Sequence, residues 1–447
     1  MPFAALALQV PTLLLPRADI DPTRWAVIAC DQYTSQPEYW HEVERLAEGH
    51  PSTLHLIFPE VYLDEAESAA RIDAINETME RYLAEGILEA QPPGFMLVER
   101  RTETGAARTG LMVALDLEAY DYRPGSTSLI RATEGTILDR LPPRIRVREK
   151  APIELPHIMV LIDDPEMTVI EPLTELDLPV AYDFSLMQGG GHLRGRRVAD
   201  PAVIDRVGRA LERLADPRRF AERYQVEDRP VLLYAMGDGN HSFATAKAIW
   251  EKIKSEASDQ EAIMDHPARF ALVELVNVHD PGLEFEAIHR VLFNVDFDRL
   301  LHQAETYYRQ HGAGFSCEFC NDLDALPEKS RRLEADGRQL LPFIAGDRCG
   351  LLVIDRPPSH LETATLQGFL DEALNGQPNS RIDYIHGEGS VTALGKRPGN
   401  VGFYLPAICK REFFKSIILD GALPRKTFSM GDADEKRFYM ECRKIAP

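Results

Sequence analysis

Apolar residues recur along this chain at two spacings, and the spacing changes many times. Near the start, residues 1–17 (MPFAALALQVPTLLLPR) read as an opening strand, and residues 25–29 (WAVIA) as a second strand running into a turn. Ser35, Gln36, Pro37 and Glu38 then look like the cap of a helix. Between residues 64 and 88, Ile72, Ile75, Met79 and Tyr82/Leu83 fall on one helical stripe. Residues 95–101 and 111–117 are strand-like, and the polar Thr/Gly link between them predicts a hairpin.

Farther along, residues 141–144 (LPPR) read as a proline-rich link, and residues 157–164 as a buried strand ending in two carboxylates. Ile204, Val207, Leu211 and Leu214 mark a helix. Residues 231–236 form a strand that breaks at Gly237-Asp238-Gly239-Asn240-His241, and a helix with Phe243, Ala246, Ile249/Trp250 and Ile253 on one face follows. Residues 271–278 make another buried strand, residues 340–345 and 351–354 a hairpin, and Leu366, Phe369, Leu370 and Leu374 a helix. Strands interleaved with helices in this way predict an α/β to α+β fold with mixed sheets.

Composition narrows the range of functions. The 447 residues carry 50 Lys+Arg against 71 Asp+Glu, a formal charge of −21. That length predicts two or three domains with ample core. So acidic a chain is a poor partner for nucleic acid, which needs a basic footprint, although a few local cations suffice for a small anion. The chain has no run of 18 apolar residues, so no membrane span is expected. The apolar start has no basic residue before Arg17 and is interrupted by Pro11 and Pro16, unlike a signal peptide. Six cysteines with no disulfide-like spacing fit a reducing compartment, and the expected location is the cytoplasm.

The stretch richest in chemistry is residues 234–246, YAMGDGNHSFATA. A buried strand ends there, two glycines permit a tight turn, and a helix begins near Asn240 to Ser242. Such a helix start offers unpaired N–H groups and a partial positive charge, which suit a phosphate or carboxylate. Asp238 on the same turn is placed to hold a metal or to accept a hydroxyl proton. The simpler reading makes Asn240 a helix cap and leaves the glycines to the turn.

GDGNHSFATAKA resembles the D-G-H-H-R-[YF]-x-T-A signature of the family catalogued as domain of unknown function 1015. That signature in turn is similar to the ParB/sulfiredoxin-like superfamily, which includes free-serine kinases. Three more stretches carry the resemblance in the same order. TEGTILDR (133–140) is similar to the family's H-E-x-T…D-R, FEAIHR (285–290) to [LI]-P-T-H-R, and LPRKTF (423–428) to M-P-x-K-[ST]-T-x-F. The chain departs from the family at Thr133 and Asn240, which replace histidines, and at Ser242, which replaces the arginine of D-G-H-H-R.

The resemblance implies a ParB/sulfiredoxin-like core over 126–300, between an N-terminal α/β portion (1–125) and a C-terminal α+β portion (301–447). It also implies a small-molecule kinase that uses ATP or ADP with Mg²⁺ and acts on a small hydroxylated metabolite. Glu134 would then deprotonate the acceptor, with Asp238 and His241 at the phosphates. Gly237, Gly239, Asn240, Ser242, Arg290 and Lys426 would complete the nucleotide site. A phosphatase using water at the same anion site, and a non-catalytic metabolite-binding regulator, are the alternatives.

Other clusters read more simply. Residues 188–197 (QGGGHLRGRR) could wrap an anion but read as a solvated loop. Asp163-Asp164 and His279-Asp280 precede prolines and read as turns, so the metal is left open. Cys317-Glu-Phe-Cys320 has half a zinc spacing, which His311 and Cys349 would have to complete. Cys30 has no activating histidine nearby in sequence.

Overall fold

The computed structural model describes residues 2–447 except 64–67, 104, 106, 124, 136–140, 334–336 and 431–434. It is a mixed α/β structure with two compact units: residues 1–284 together with 430–447, and residues 285–429.

The first unit is built on a ten-stranded sheet. In chain order its strands are β1 (Leu8–Gln9), β2 (Phe95–Arg101), β3 (Ala107–Asp116), β4 (Tyr120–Asp121), β5 (Ile130–Arg131), β6 (Met159–Ile162), β7 (Val180–Ser185), β8 (His192–Val198), β9 (Tyr234–Asp238) and β10 (Phe270–Asn277). They lie in the order β7-β8-β2-β3-β10-β6-β9-β5-β4, with β1 paired to β3. The central strands are apolar at nearly every position because both faces are covered. Successive side chains alternate between faces. Thus Phe95 and Leu97 of β2 join one core, with Leu111, Val113 and Leu115 of β3, whereas Met96, Val98 and Met112 join the other.

Three helices matter for the site: α1 (Leu141–Arg148), α2 (Pro201–Leu214) and α3 (Asn240–Glu256). Helix α2 is capped by Asp200, which accepts from the Ala202 N–H, and its Ile204, Val207 and Leu211 stripe is buried as the spacing predicts. The chain's last residues return to this unit: Phe438–Tyr439 pair with Val27–Ile28, and Arg443–Lys444 with Ile153–Glu154. The Trp25 indole donates to the Met440 carbonyl at 3.1 Å and ties the two ends of the chain together.

Four local expectations are corrected. The opening strand is a 3-10 turn (Ala4–Leu6) followed by two short strands, Leu8–Gln9 and Leu14–Pro16. Residues 25–29 are mostly not strand: Asp21 caps the short helix Pro22–Trp25, which has proline in its first turn, and only Val27–Ile28 pairs. The LPPR link is the start of α1, because prolines in a first helical turn cost no intrahelical hydrogen bond. The glycine- and arginine-rich stretch at 188–197 is mainly strand β8. Its glycines serve close packing: a Cβ on Gly191 would lie 2.1 Å from the Arg101 carbonyl oxygen, and one on Gly195 would lie 2.2 Å from the Tyr182 ring.

The second unit carries a seven-stranded sheet built around β11 (Phe285–Phe293). The other strands are β12 (Gly314–Cys320), β13 (Arg338–Ala345), β14 (Arg348–Asp355), β15 (Arg381–His386), β16 (Asn400–Phe403) and β17 (Phe428–Met430). The predicted hairpin is β13–β14, paired antiparallel in continuous register. Helices α4 (Phe297–Gln310) and α5 (Glu362–Leu374) contribute Leu300, Ala304, Leu366, Phe369 and Leu370 to its core.

Candidate functional site

Strand β9 ends at Asp238, and α3 begins two residues later. Gly239 between them has φ of +77°, a left-handed conformation that glycine adopts without a Cβ clash. A Cβ there would also lie 3.0 Å from the Ile158 Cα. With glycine at the N-cap, α3 has no side-chain cap. Asn240 is therefore not the cap: it is the first helical residue, and its side-chain oxygen is buried without a hydrogen-bond partner.

Asp238 is the electrostatic centre of the turn. Its Oδ1 accepts from the Gly239 N–H at 2.8 Å, and its Oδ2 lies 3.2 Å from Lys436 Nζ. Burial by itself would push this carboxyl up, but Lys436, His157 and the Gly239 N–H together hold it below the ordinary carboxylate range. Asp238 is thus an anion with a cation at hand.

The neighbouring strand leads to the second predicted carboxylate. β5 runs parallel to β9, with Ile130 opposite Tyr234 and Arg131 opposite Ala235. The Thr133 hydroxyl then donates to the Met236 carbonyl at 2.7 Å. Half-buried Glu134 follows directly on Thr133. Thr133, which stands where the family has histidine, is fully buried and acts as the bolt between the two motifs. The remainder of TEGTILDR, from residue 136, lies outside the described residues.

Ser242, in the third position of α3, lies 3.1 Å from His157 Nε2. His157 Nδ1 lies 2.7 Å from the Tyr439 hydroxyl, which accepts from the Cys30 N–H at 3.2 Å. These groups border a cavity of about 140 Å³ whose walls are largely apolar. Half-buried His241 is held at its backbone, where the carbonyl accepts from the Thr245 hydroxyl at 2.7 Å. Burial pushes the Cys30 thiol far above its ordinary value, so Cys30 is not a thiolate nucleophile.

Arg290 and Lys426 belong to the second unit. Arg290 is fully buried. Its Nε donates to Gln367 at 2.8 Å, its Nη1 to the Ile288 carbonyl at 2.7 Å and its Nη2 to the Lys426 carbonyl at 3.0 Å. The guanidinium also stacks over the Tyr384 ring, 4.6 Å from its centroid. Arg290 therefore ties FEAIHR to LPRKTF, two of the motifs quoted above, across 136 residues of chain. Lys426 is exposed at that tie, in a left-handed conformation with φ of +56°.

Three site residues escape sequence reasoning: His157, Lys436 and Tyr439. His157 opens a predicted strand, and the other two lie outside every motif quoted above. Only the return of residues 430–447 to the first unit brings them to the turn. Lys436 supplies a cation beside a turn whose signature arginine is serine here. Its neighbour Arg437 serves another set of carboxylates, donating to Glu274 at 2.7 Å and to Glu441, which also accepts from Tyr182. That second cluster is almost wholly buried.

Among the described residues, no group of three or more His, Cys, Asp or Glu side chains is arranged to hold a metal, and all six cysteines are free. No helix is long and apolar enough to cross a membrane.

Comparison with known proteins places the chain in a family. The model of the DUF1015 family, described as a protein of unknown function, matches residues 14–373. The chain belongs to that family. No curated protein matches it. Among solved structures it is similar to a conserved hypothetical protein from Pyrococcus furiosus, at 12% identity over 75% of this chain and 95% of that one, with a TM-score of 0.35. A free serine kinase in complex with AMP matches at 11% identity over 75% of this chain and 92% of that one, with a TM-score of 0.38. A variant of a free serine kinase in complex with ADP matches at 12% identity over 77% and 95%, with a TM-score of 0.39. Likenesses of this size assign no residue.

Proposed function

We propose that this protein binds a phosphorylated small molecule of the nucleotide class at the Gly237–Ser242 turn and transfers phosphate to a small hydroxylated metabolite. The observation that carries the reading is the pairing of Asp238 with Lys436 at the uncapped start of α3. An open helix start attracts phosphate through its N–H groups and dipole. Lys436 adds the charge that the missing signature arginine would supply, as a point cation rather than a bidentate fork.

Phosphoryl transfer needs in-line positioning, charge neutralisation and a carboxylate near the nucleophile. In this scheme Glu134, next to Thr133, takes the proton of the acceptor hydroxyl. The backbone of Gly237, Gly239, Asn240 and Ser242 surrounds the phosphates, with His241 beside them. Mg²⁺ commonly binds one or two carboxylates and otherwise substrate phosphates, and an ionised Asp238 fits that donor set. Such an ion would neutralise charge on the phosphates. Arg290 enters only as the residue that holds the LPRKTF segment, with Lys426 at its surface.

Titration with ATP and ADP in the presence of Mg²⁺, followed by thermal shift, tests the binding. A ligand at 100 times its dissociation constant stabilises the fold by about 2.7 kcal/mol. The wild type is expected to show that stabilisation and the Asp238→Asn protein to lose it. Equal shifts in both proteins, or none in either, would refute the assignment. With an acceptor hydroxyl present, Glu134→Gln is expected to bind nucleotide but not to turn it over.

A further inference from the structure

We propose that Ser242 is an activated nucleophile, with His157 as its general base and Tyr439 as the residue that positions the base, and that the adjoining cavity accepts the acyl group of a small, neutral, apolar ester. This activity goes beyond the phosphorylated-ligand reading and needs no nucleotide.

A serine nucleophile is recognised by a base within hydrogen-bond reach and a third group that orients the base. Both contacts are present: 3.1 Å from Ser242 Oγ to His157 Nε2, and 2.7 Å from His157 Nδ1 to the Tyr439 hydroxyl. The Tyr439 hydroxyl has one proton and two acceptor sites. Burial keeps Tyr439 a neutral phenol. One acceptor site takes the Cys30 N–H at 3.2 Å. In the Nδ1–H tautomer, which the proposal requires, the remaining site accepts from His157 Nδ1–H, and Nε2 is left to accept from Ser242. The N–H groups of Asn240 and Ser242, in the uncapped first turn of α3, are donors for a developing oxyanion.

The cavity selects the substrate class. Ser242, His157 and Tyr439 line it together with Leu56, Phe58, Met79, Val147, Ile153 and Leu155. Its volume, about 140 Å³, is close to that of an apolar cavity of about 150 Å³ known to hold a benzene ring. The two guanidinium groups on its wall are matched by carboxylates, Arg144 by Glu60 and Arg148 by Glu154. The wall thus favours a neutral body of four to six carbons, roughly a ring's size.

The chemistry balances with water as co-reactant. Ser242 Oγ bonds to the carbonyl carbon while its proton passes to His157 Nε2. The carbon–oxygen bond to the leaving alcohol then breaks, and that oxygen takes the proton from His157. Water, deprotonated by His157, attacks the acyl group, the bond to Ser242 breaks, and Oγ recovers a proton.

The test uses the full-length chain without nucleotide, so its failure and the failure of nucleotide binding are separate results. A fluorophosphonate probe is expected to add once per chain, on the peptide holding Ser242. p-Nitrophenyl butyrate is expected to be hydrolysed with a burst of one equivalent, at least tenfold faster than the dodecanoate. Ser242→Ala should abolish both signals, and His157→Gln should lower kcat/KM by about 100-fold or more. Tyr439→Phe should lower kcat with KM unchanged, as loss of positioning requires. An unlabelled wild type, or labelling that survives in a folded Ser242→Ala protein, overturns the proposal. Unchanged turnover in a folded His157→Gln protein does the same.

Discussion

Lys436 and Arg437 are adjacent in the chain, yet they serve two acidic sites of opposite character. Arg437 lies in a closed cluster: it, Glu274 and Glu441 are 3%, 1% and 0% exposed, and its donors go to Glu274, Glu441 and the Pro156 carbonyl. Lys436 meets Asp238 in an open one, where the side chains are 15% and 26% exposed and the helix beside them is uncapped. Asp238 in one and Glu274 in the other are both held in the ionised form. The closed cluster satisfies its charges internally and therefore serves the fold, whereas the open pair keeps donors and a carboxylate available to a ligand.

The sharpest way to break the comparison is to remove each cation in turn. Arg437→Met leaves buried Glu441 without its cation and Glu274 with Arg108 alone among its ion pairs, and is expected to destabilise the first unit by about 3–5 kcal/mol, measured by urea unfolding. Lys436→Met is expected to cost at most about 1 kcal/mol, because a partly exposed pair contributes little to stability. It should instead weaken ADP binding by about tenfold, the equivalent of about 1.4 kcal/mol. Similar stability losses in the two variants would erase the distinction.

Acid sharpens it further. Asp238, Glu154 and Glu274 all have pKa values held below the ordinary carboxylate range in the folded protein. For each, burial pushes the value up and neighbouring cations more than reverse it. Depressed folded values give stability that is complete above the unfolded value of about 4 and is lost as the pH falls through the folded values. The carboxylates' share of stability should therefore be unchanged from pH 7 to about 5 and fall steeply below about 4. Arg437→Met should move that fall to higher pH, because Glu274 then loses one of its cations, and Lys436→Met should move it the same way but less, because the Asp238 pair is partly exposed. An Arg437→Met protein whose acid unfolding below pH 5 matches the wild type would contradict this account.

Much of the framework is legible in the sequence because burial imposes a period. The strand–turn–helix at 234–256 and the hairpin at 95–116 follow from runs whose alternation or helical stripe is filled by core residues on known faces. Errors fall where a local signal has two physical readings. Glycine and arginine at 188–197 look like a solvated loop, yet the glycines admit the Tyr182 ring and the Arg101 backbone, and Arg196 is buried where it donates to the Thr174 and Leu176 carbonyls. Prolines at 142 and 143 look like a linker and instead open a helix.

The candidate turn itself is visible as a motif, but the groups that give it chemistry are not. His157 meets Tyr439 from 282 residues away, and Asp238 meets Lys436 only because the end of the chain returns to the first unit. No periodicity or spacing encodes such contacts. The serine in place of the signature arginine is equally ambiguous in one dimension. The cation at hand is two hundred residues downstream at Lys436, and the serine's own partner lies upstream at His157.

The most direct test of the central claim is hydrogen exchange by mass spectrometry with and without saturating ADP and Mg²⁺. The account predicts slowed exchange in peptides covering 234–246, at the end of β9 and the first turns of α3, and no such protection in the Asp238→Asn protein. Protection absent from those peptides in the wild type, while ADP binds elsewhere on the chain, would contradict it.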